Sequence, residues 1–152
     1  MDKEDRRLLL FLLLSHHSPE KLHRTIHISF RRKNVYLCAR CTGKYLGILS
    51  VFVAWFLGFD FPTWLYLPLL SILPAPSVVD WMTQSCELRE SRNTIRVCTG
   101  YLFGFSEGLF LLVLVKGMFY LFLCALVILG AYIFSIYVIA WKTKFLDSYL
   151  DL

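Results

Sequence analysis

Two cysteines, Cys38 and Cys41, have a type and a spacing that could support chemistry. They belong to the sequence Cys-Ala-Arg-Cys-Thr-Gly, which stands directly before a long apolar stretch. A tight turn can present two such thiols on one side, where both sulfurs bind one metal ion, and zinc then needs two more ligands to complete a tetrahedron. The pair is therefore a candidate metal site next to an apolar segment.

The remaining ligands would come from the segment before the pair, because all four histidines of the chain lie there. We predict one zinc or iron ion bound by the two cysteines and by histidine, with His17 and His16 as the preferred donors. Two alternatives stay open. The thiols could form a redox dithiol, since Arg40 between them favours the thiolate, or they could be buried cysteines that only pack.

A second polar segment, residues 80–96, lies between two apolar stretches. If it begins as a helix, Asp80, Gln84 and Glu87 share one face. Helical spacing also aligns Arg89, Asn93 and Arg96. Carboxylates beside guanidinium groups suit a phosphate with its counter-cation, because arginines bind phosphate oxygens in a fork and acids hold a divalent ion.

This second segment supplies the candidate catalytic residues, which are chosen for their hydrogen-bonding and acid–base groups: Asp80, Gln84, Glu90, Asn93 and Arg96. The amides among them favour recognition, because amide side chains contribute little to membrane topology and much to hydrogen bonding. If the segment is a site, we expect a divalent cation together with a phosphate substrate, and one pocket shared with the cysteines. The alternative is a structural loop in which salt bridges connect two helices.

The composition places these residues in a membrane protein. Hydrophobic residues make up 57% of the 152 residues and the mean hydropathy is +0.59, which is more apolar surface than a soluble domain of this size can bury. The net charge of +5 comes from basic residues that flank the apolar stretches instead of forming one stripe. We therefore expect membrane lipids, and no nucleic acid, as partners.

Four stretches reach the length of a membrane-spanning helix, roughly 17 to 25 residues. They are residues 43–61, 62–79, 97–115 and 117–141. Residues 8–14 are apolar but too short to cross, and we interpret them as a short interfacial helix. The sequence thus predicts a single membrane domain, residues 1–152: an all-α integral membrane bundle of four transmembrane helices with a polar site at its cytoplasmic face.

Glycines indicate how these helices pack. Glycine recurs at every fourth position in the third predicted span and at the start of the first: Gly100, Gly104, Gly108, Gly43 and Gly47. Such faces allow another backbone to approach closely. We interpret them as a packing groove inside one bundle, with a dimer interface or a slot for a lipid chain as alternatives.

The basic residues are distributed unevenly over this topology. Of 16 Lys and Arg residues, ten lie in residues 3–44, three in 89–96 and two in 142–144, and the last is Lys116 on the opposite side. The positive-inside rule then puts both termini, the segment 1–42 and the loop 80–96 in the cytoplasm of a multi-pass protein of the cell membrane. The cysteines of both segments would face a reducing compartment, where disulfides are rare.

Four parts of the sequence together resemble a known family: residues 16–21 (HHSPEK), 38–47 (CARCTGKYLG), 80–84 (DWMTQ) and 89–100 (RESRNTIRVCTG). The family consists of small prokaryotic polytopic membrane proteins classed as a domain of unknown function, and the resemblance extends from His16 to Gly108. Family members usually begin this pattern with a Cys-His pair, where this chain has His16-His17, and have Asp-Gly where this chain has Asp80-Trp81. The resemblance implies the membrane fold and a site with the Cys-Ala-Arg-Cys-Thr-Gly motif, but no reaction.

These observations leave three functions. The first, which we expect, is a membrane enzyme that acts on a phosphorylated or isoprenoid lipid at the cytoplasmic face, with Asp80 or Glu90 as base or metal ligand and Arg96 holding the phosphate. The second is a non-enzymatic metal-binding or transport protein, in which Glu107 would continue a polar path across the bilayer. The third is a thiol-redox protein.

Overall fold

The computed structural model of the protein describes residues 25–30, 33–86 and 88–142. Two strands come first in this part of the chain, β1 (Thr25–Phe30) and β2 (Lys33–Cys38). Five helices follow there: α1 (Ala39–Phe56), α2 (Thr63–Ile72), α3 (Ala75–Ser85), α4 (Asn93–Val115) and α5 (Phe119–Lys142). The described chain is mostly helical, as predicted, while the predicted interfacial helix at residues 8–14 lies outside the described residues.

The all-α prediction is wrong for the segment before the first helix, where β1 and β2 form an antiparallel hairpin. The strands pair from Thr25 opposite Cys38 to Phe30 opposite Lys33. Both contain β-branched and aromatic residues, which favour strands, in a segment that is too polar to cross a membrane. The hairpin occupies the end of the predicted segment 1–42 and leads directly into α1.

Three helical segments of the described chain are long and apolar enough to cross a membrane: Thr63–Gln84, which comprises α2 and most of α3, Asn93–Val115 and Phe119–Lys142. The last two correspond to the predicted spans 97–115 and 117–141. Helix α1 has 18 residues but carries Arg40 and Lys44 in its first two turns, and it is not among the three. The first predicted span, residues 43–61, and with it the count of four, is therefore not confirmed.

The second predicted span, residues 62–79, is divided by a turn at Leu73 and Pro74. Pro74 directly precedes α3, where its missing N–H removes no helical hydrogen bond. The polar segment 80–96 is not a loop throughout, because α3 includes its first residues and α4 its last. Only a short connection remains between these two helices.

Helices α1 and α4 pack backbone against backbone along the predicted glycine faces. A Cβ atom on Gly100 would overlap the carbonyl oxygen of Arg40. A Cβ atom on Gly104 would overlap the carbonyl oxygen of Lys44. Residues without a side chain permit this approach, so the prediction of a packing groove is confirmed, and the first two turns of α1 are held at a fixed height along α4.

The apolar core lies between α1, α2, α4 and α5, and its largest fully buried side chains include Tyr66, Leu109 and Leu112. Outside the core, α5 exposes large apolar side chains such as Val127 and Phe134, as expected of a helix that faces lipid. We call the end of the bundle where α1 and α4 begin and α3 ends the Asp80 end. The end where α1 and α4 end is the Asp60 end.

Candidate functional site

Asp80, in the middle of α3, is 1% exposed and accepts hydrogen bonds on both carboxylate oxygens. Arg40, in the first turn of α1, donates to Oδ2 at 2.5 Å, and Arg89, which follows α3, donates to Oδ1 at 3.0 Å. A buried carboxylate is costly unless charged donors compensate it. Two guanidinium groups around one carboxylate do so, and they leave one positive charge in excess.

The contact between Arg40 and Asp80 joins the two polar segments of the sequence. Arg40 lies between the two cysteines, and 40 positions separate it from Asp80. The contact forms because the glycine faces fix the start of α1 against α4, while α3 also packs on α4. The Arg40 side chain is 27% exposed, and its Nε is buried without a hydrogen-bond partner among the described residues.

Gln84 and Arg96 connect α3 to α4 about one helical turn after Asp80. In the orientation that satisfies its neighbours, the Gln84 amide oxygen accepts hydrogen bonds from the Arg96 guanidinium group and from the Ser91 backbone N–H, the latter at 3.2 Å. The Arg96 side chain is buried. We therefore assign Arg96 to the contact between the two helices and not to the binding of a ligand.

Asn93 and Glu90, the other candidate catalytic residues, lie at the start of α4 and just before it. The Asn93 side-chain amide donates a hydrogen bond to the Thr25 carbonyl oxygen at 3.1 Å and so ties the hairpin to α4. Glu90 is exposed at the surface. The candidate catalytic site therefore consists largely of residues that hold neighbouring elements together around Asp80.

Cys38 and Cys41 lie where β2 ends and α1 begins, before the predicted span 43–61. Their thiols are hydrogen-bonded to each other, and this bond, followed by burial, raises the pKa of the Cys41 thiol. Lys44 and Arg40 act in the opposite direction with a smaller effect. The raised pKa concerns Cys41 only, and a redox dithiol needs one thiolate of the two, so the redox alternative stays a prediction.

The predicted zinc or iron site lies only partly within the described residues, because His16 and His17 are outside them. Among the residues that the structure describes, no group of three or more His, Cys, Asp or Glu side chains could hold a metal ion. His27, which is described, stacks on Tyr36 with the ring centroids 4.9 Å apart. The metal site stays a prediction.

A cavity of about 270 Å³ opens beside Arg40, and we call it the Arg40 pocket. Helix α1 contributes Arg40, Cys41 and Lys44 to its wall, and α3 contributes Val78 and Trp81. The first basic residues of α1 thus face a cavity inside the bundle as well as the surface. Cys41 of the predicted metal pair lines the same cavity.

A second cavity of about 370 Å³, the apolar cavity, continues from the Arg40 pocket toward the Asp60 end. The two cavities share Val78, Phe103 and Ile136. At their boundary Lys44, which lines the Arg40 pocket, forms an ion pair with Glu107, which lines the apolar cavity, at 3.0 Å. The acid at Glu107 thus has a cationic partner within the bundle.

Lys44, Phe103 and Ile136 line these cavities but are not among the site residues predicted from the sequence. The glycine pattern of the sequence could have indicated the ion pair between Lys44 and Glu107. Gly104 contacts the Lys44 backbone, and Glu107 lies about one turn further along α4. Nothing in the sequence indicates that Ile136 lines a cavity, since α5 is apolar on all sides.

These observations define a class: a helical membrane protein with a cavity at one end of its bundle whose wall includes Arg40 and Lys44. The family is more specific. The chain belongs to the family described as "Predicted membrane protein (DUF2085)", which matches residues 19–110. The match confirms the resemblance to a family of membrane proteins, and it covers the hairpin and most of α4 but not α5.

Two relatives are similar to this chain. An uncharacterised protein of Methanothermobacter thermautotrophicus is 36% identical over 90 residues, which cover 59% of this chain and 77% of the relative. An uncharacterised protein of Methanocaldococcus jannaschii is 37% identical over 81 residues, which cover 50% of this chain and 50% of the relative. The chain thus spans about half the length of the second relative. No solved structure matches the chain.

Proposed function

We propose that this protein binds the phosphate group of a membrane lipid in the Arg40 pocket. One observation carries the proposal: Arg40 lines the pocket, is held by the buried Asp80 and is partly exposed. A guanidinium group that is fixed in this way has lost most of its freedom before a ligand arrives, which lowers the entropic cost of binding.

The charges around the pocket favour an anion. Arg40 and Arg89 share one carboxylate, so their positive charge exceeds its negative charge. Arg40 donates to Asp80 through one terminal nitrogen, and a guanidinium group has five N–H donors in a fork that matches phosphate oxygens. Lys44, one turn further along α1, also lines the pocket, where Glu107 balances its charge, so the surplus positive charge is that of the two arginines.

In this proposal Asp80 positions the arginines and is not a general base. Both of its carboxylate oxygens accept hydrogen bonds from arginine, so neither is directed at a ligand. The same contacts argue against a divalent cation bound by Asp80. We therefore propose binding in place of enzymatic transfer or hydrolysis, with Arg40 and not Arg96 as the phosphate ligand.

We further propose that the Asp80 end faces the cytoplasm of the cell membrane and that both termini lie on this side. The excess of basic residues in 3–44 and 89–96 supports this orientation, with Lys116 at the Asp60 end. Helix α1 would be the fourth span, with its two basic turns at the level of the headgroups. The Arg40 pocket would then lie at the level of anionic lipids of the inner leaflet.

Binding of a long-chain alkyl phosphate to the purified protein, in nanodiscs of zwitterionic lipid, tests this function. We expect saturable binding for which the matching alkyl alcohol does not compete. Arg40→Lys keeps the charge but loses the fork, and it should weaken binding by about tenfold or more. Arg92→Ala is the control, since Arg92 is exposed and lines neither cavity.

Arg40→Ala removes the charge as well and should weaken binding further, but it also takes one partner from the buried Asp80. Arg40→Lys therefore decides the test, after its thermal unfolding has been shown to match that of the unmodified protein. Equal weakening by Arg40→Lys and Arg92→Ala would mean that only the overall positive charge attracts phosphate, and the proposal would be wrong.

A second candidate function, metal binding, is favoured by the contact between the two thiols. Cys38 and Cys41 are hydrogen-bonded to each other, so one ion could bind both sulfurs after they lose their protons. Purified protein should then contain about one equivalent of zinc or iron, and Cys38→Ser should remove it. Background metal content in protein prepared without chelators would exclude this candidate.

A further inference from the structure

We infer that the lipid in the Arg40 pocket has its phosphate attached directly to a single hydrocarbon chain, and that this chain lies in the apolar cavity. The inference rests on the proposed binding of phosphate at Arg40. It adds the chemical class of the ligand, an isoprenoid or alkyl phosphate, and assigns a place to its chain.

The two cavities are neighbours, and we infer that the ligand extends from one into the other. Val78, Phe103 and Ile136 line both, one each from α3, α4 and α5. A phosphate at Arg40 would place the first carbons of its chain between these side chains, and the apolar cavity extends from there toward Leu70. A ligand with an anionic end and a long apolar remainder matches both parts of this space.

The walls of the apolar cavity suit a hydrocarbon. Its lining side chains are apolar or aromatic except for Ser106, Glu107 and Tyr132. The Tyr132 hydroxyl donates to the Ser71 carbonyl oxygen, and Glu107 pairs with Lys44, so both groups already have partners in the protein. A polar ligand group in this cavity would lose its hydrogen bonds to water and find few replacements.

The junction between the cavities favours a chain without ester groups. Val78, Phe103 and Ile136 have no hydrogen-bond donor in their side chains, and Lys44 at the same boundary is already paired with Glu107. The ester carbonyl of a glycerolipid would therefore have to compete with Glu107 for a donor there. A chain attached directly to phosphate carries no such group. Pro74, at the turn between α2 and α3, is among the residues that line the apolar cavity.

Photo-crosslinking locates the chain. A long-chain alkyl phosphate with a diazirine in mid-chain is incorporated into the nanodiscs and illuminated, and the labelled residues are mapped. We expect labelling inside the cavity, at residues such as Phe110, Leu129 and Ile133, which an alkyl alcohol with the same diazirine does not reproduce. A diacyl phosphate with the diazirine in one chain should label these residues much less.

Two tryptophan variants on α5 test occupancy of the cavity. Ile133 lines the cavity but is 59% exposed, so a larger side chain can be accommodated without unfolding the bundle. Ile133→Trp should reduce labelling at Phe110 by about tenfold, because it fills the space that the chain would use. Val127→Trp is the matched control, since Val127 is 73% exposed and lines neither cavity.

Labelling spread evenly over α5, Val127 included, would mean that bulk lipid fills the cavity and would overturn the inference. Equal labelling by the diacyl phosphate would contradict the inference that the ligand has a single hydrocarbon chain. If Arg40→Lys weakens alkyl phosphate binding while Ile133→Trp changes neither binding nor labelling, the proposed function stands and the inference is wrong. If Arg40→Lys changes nothing, the proposed function itself is wrong.

Discussion

The two ends of the bundle each hold an aspartate among cations, but the two clusters differ in burial. At the Asp80 end the carboxylate is 1% exposed, and Arg40 and Arg89 each bind one of its oxygens. At the Asp60 end the carboxylate is 53% exposed and accepts hydrogen bonds from Lys116 and from the Tyr66 hydroxyl, the latter at 3.0 Å. The first cluster has a buried carboxylate and positive charge in excess, and the second is a balanced pair whose carboxylate is half exposed.

This difference separates a candidate site from a structural link. Asp60 and Lys116 join the segment before α2 to the turn before α5, and neither residue lines the Arg40 pocket or the apolar cavity. Arg40 lines a cavity and carries charge that the buried carboxylate does not fully neutralise. Surplus charge beside a cavity, more than the presence of an ion pair, distinguishes the end at which we propose a ligand.

The largest effect that we expect is a loss of stability when the Asp80 carboxylate is removed. Asp80→Ala leaves two arginines without their buried counter-charge and should lower the free energy of unfolding by about 3–5 kcal/mol. Asp60→Ala, the matched change at the other end, removes a carboxylate that is 53% exposed, so its pairing is screened by solvent and the change should cost about 1 kcal/mol or less. Thermal unfolding in detergent measures both. Equal destabilisation would show that burial does not separate the two clusters.

The parts of this fold that could be predicted are those that lipid itself constrains. A membrane requires long apolar helices, so α4 and α5 are recognisable from length and composition alone. The glycine faces of α1 and α4 follow from the same logic, because small residues are what allow two helix backbones to touch. The hairpin has no such constraint: its strands are short, and no bilayer dictates their length or pattern.

The site could be predicted only in part. Asp80 is conspicuous as a charge between apolar stretches, but the sequence indicates its partner Arg40 only as a modifier of the cysteines. Sequence spacing does not reveal a contact across 40 positions, which exists because α1 and α3 both pack on α4. The contribution of Ile136 is equally hidden, since a helix that is apolar all round does not indicate which side faces inward.

The next effect concerns the helix contact that positions Arg40 and Lys44 and has no counterpart at the Asp60 end. Gly104→Ala puts a methyl group against the Lys44 carbonyl oxygen and must push α1 away from α4, at a cost of about 1–3 kcal/mol. Alkyl phosphate binding should weaken with it. Gly130→Ala is the control, because a Cβ there meets no described atom within 4 Å. If Gly104→Ala leaves alkyl phosphate binding unchanged, the contact between α1 and α4 does not determine the geometry of the Arg40 pocket.

The smallest effect that we expect is a pH dependence of stability that originates at the Asp60 end. The hydrogen bond from Lys116 lowers the pKa of Asp60 below its ordinary value. A carboxylate whose pKa is lower in the folded than in the unfolded protein stabilises the fold at pH values above the unfolded pKa, about 4. This contribution disappears as the pH falls through the lower, folded value.

Because Asp60 is about half exposed, its contribution should stay below about 1 kcal/mol. The difference in unfolding temperature between the unmodified protein and Asp60→Asn should therefore be small and constant above about pH 5 and should shrink below about pH 4. Tyr66→Phe, which keeps the Lys116 pair, should retain most of the pH dependence, since Lys116 is the main cause of the lowered pKa. A difference that persists unchanged into strong acid would show that the charge of Asp60 does not stabilise this end, and the link between the two turns would then depend on packing around Tyr66.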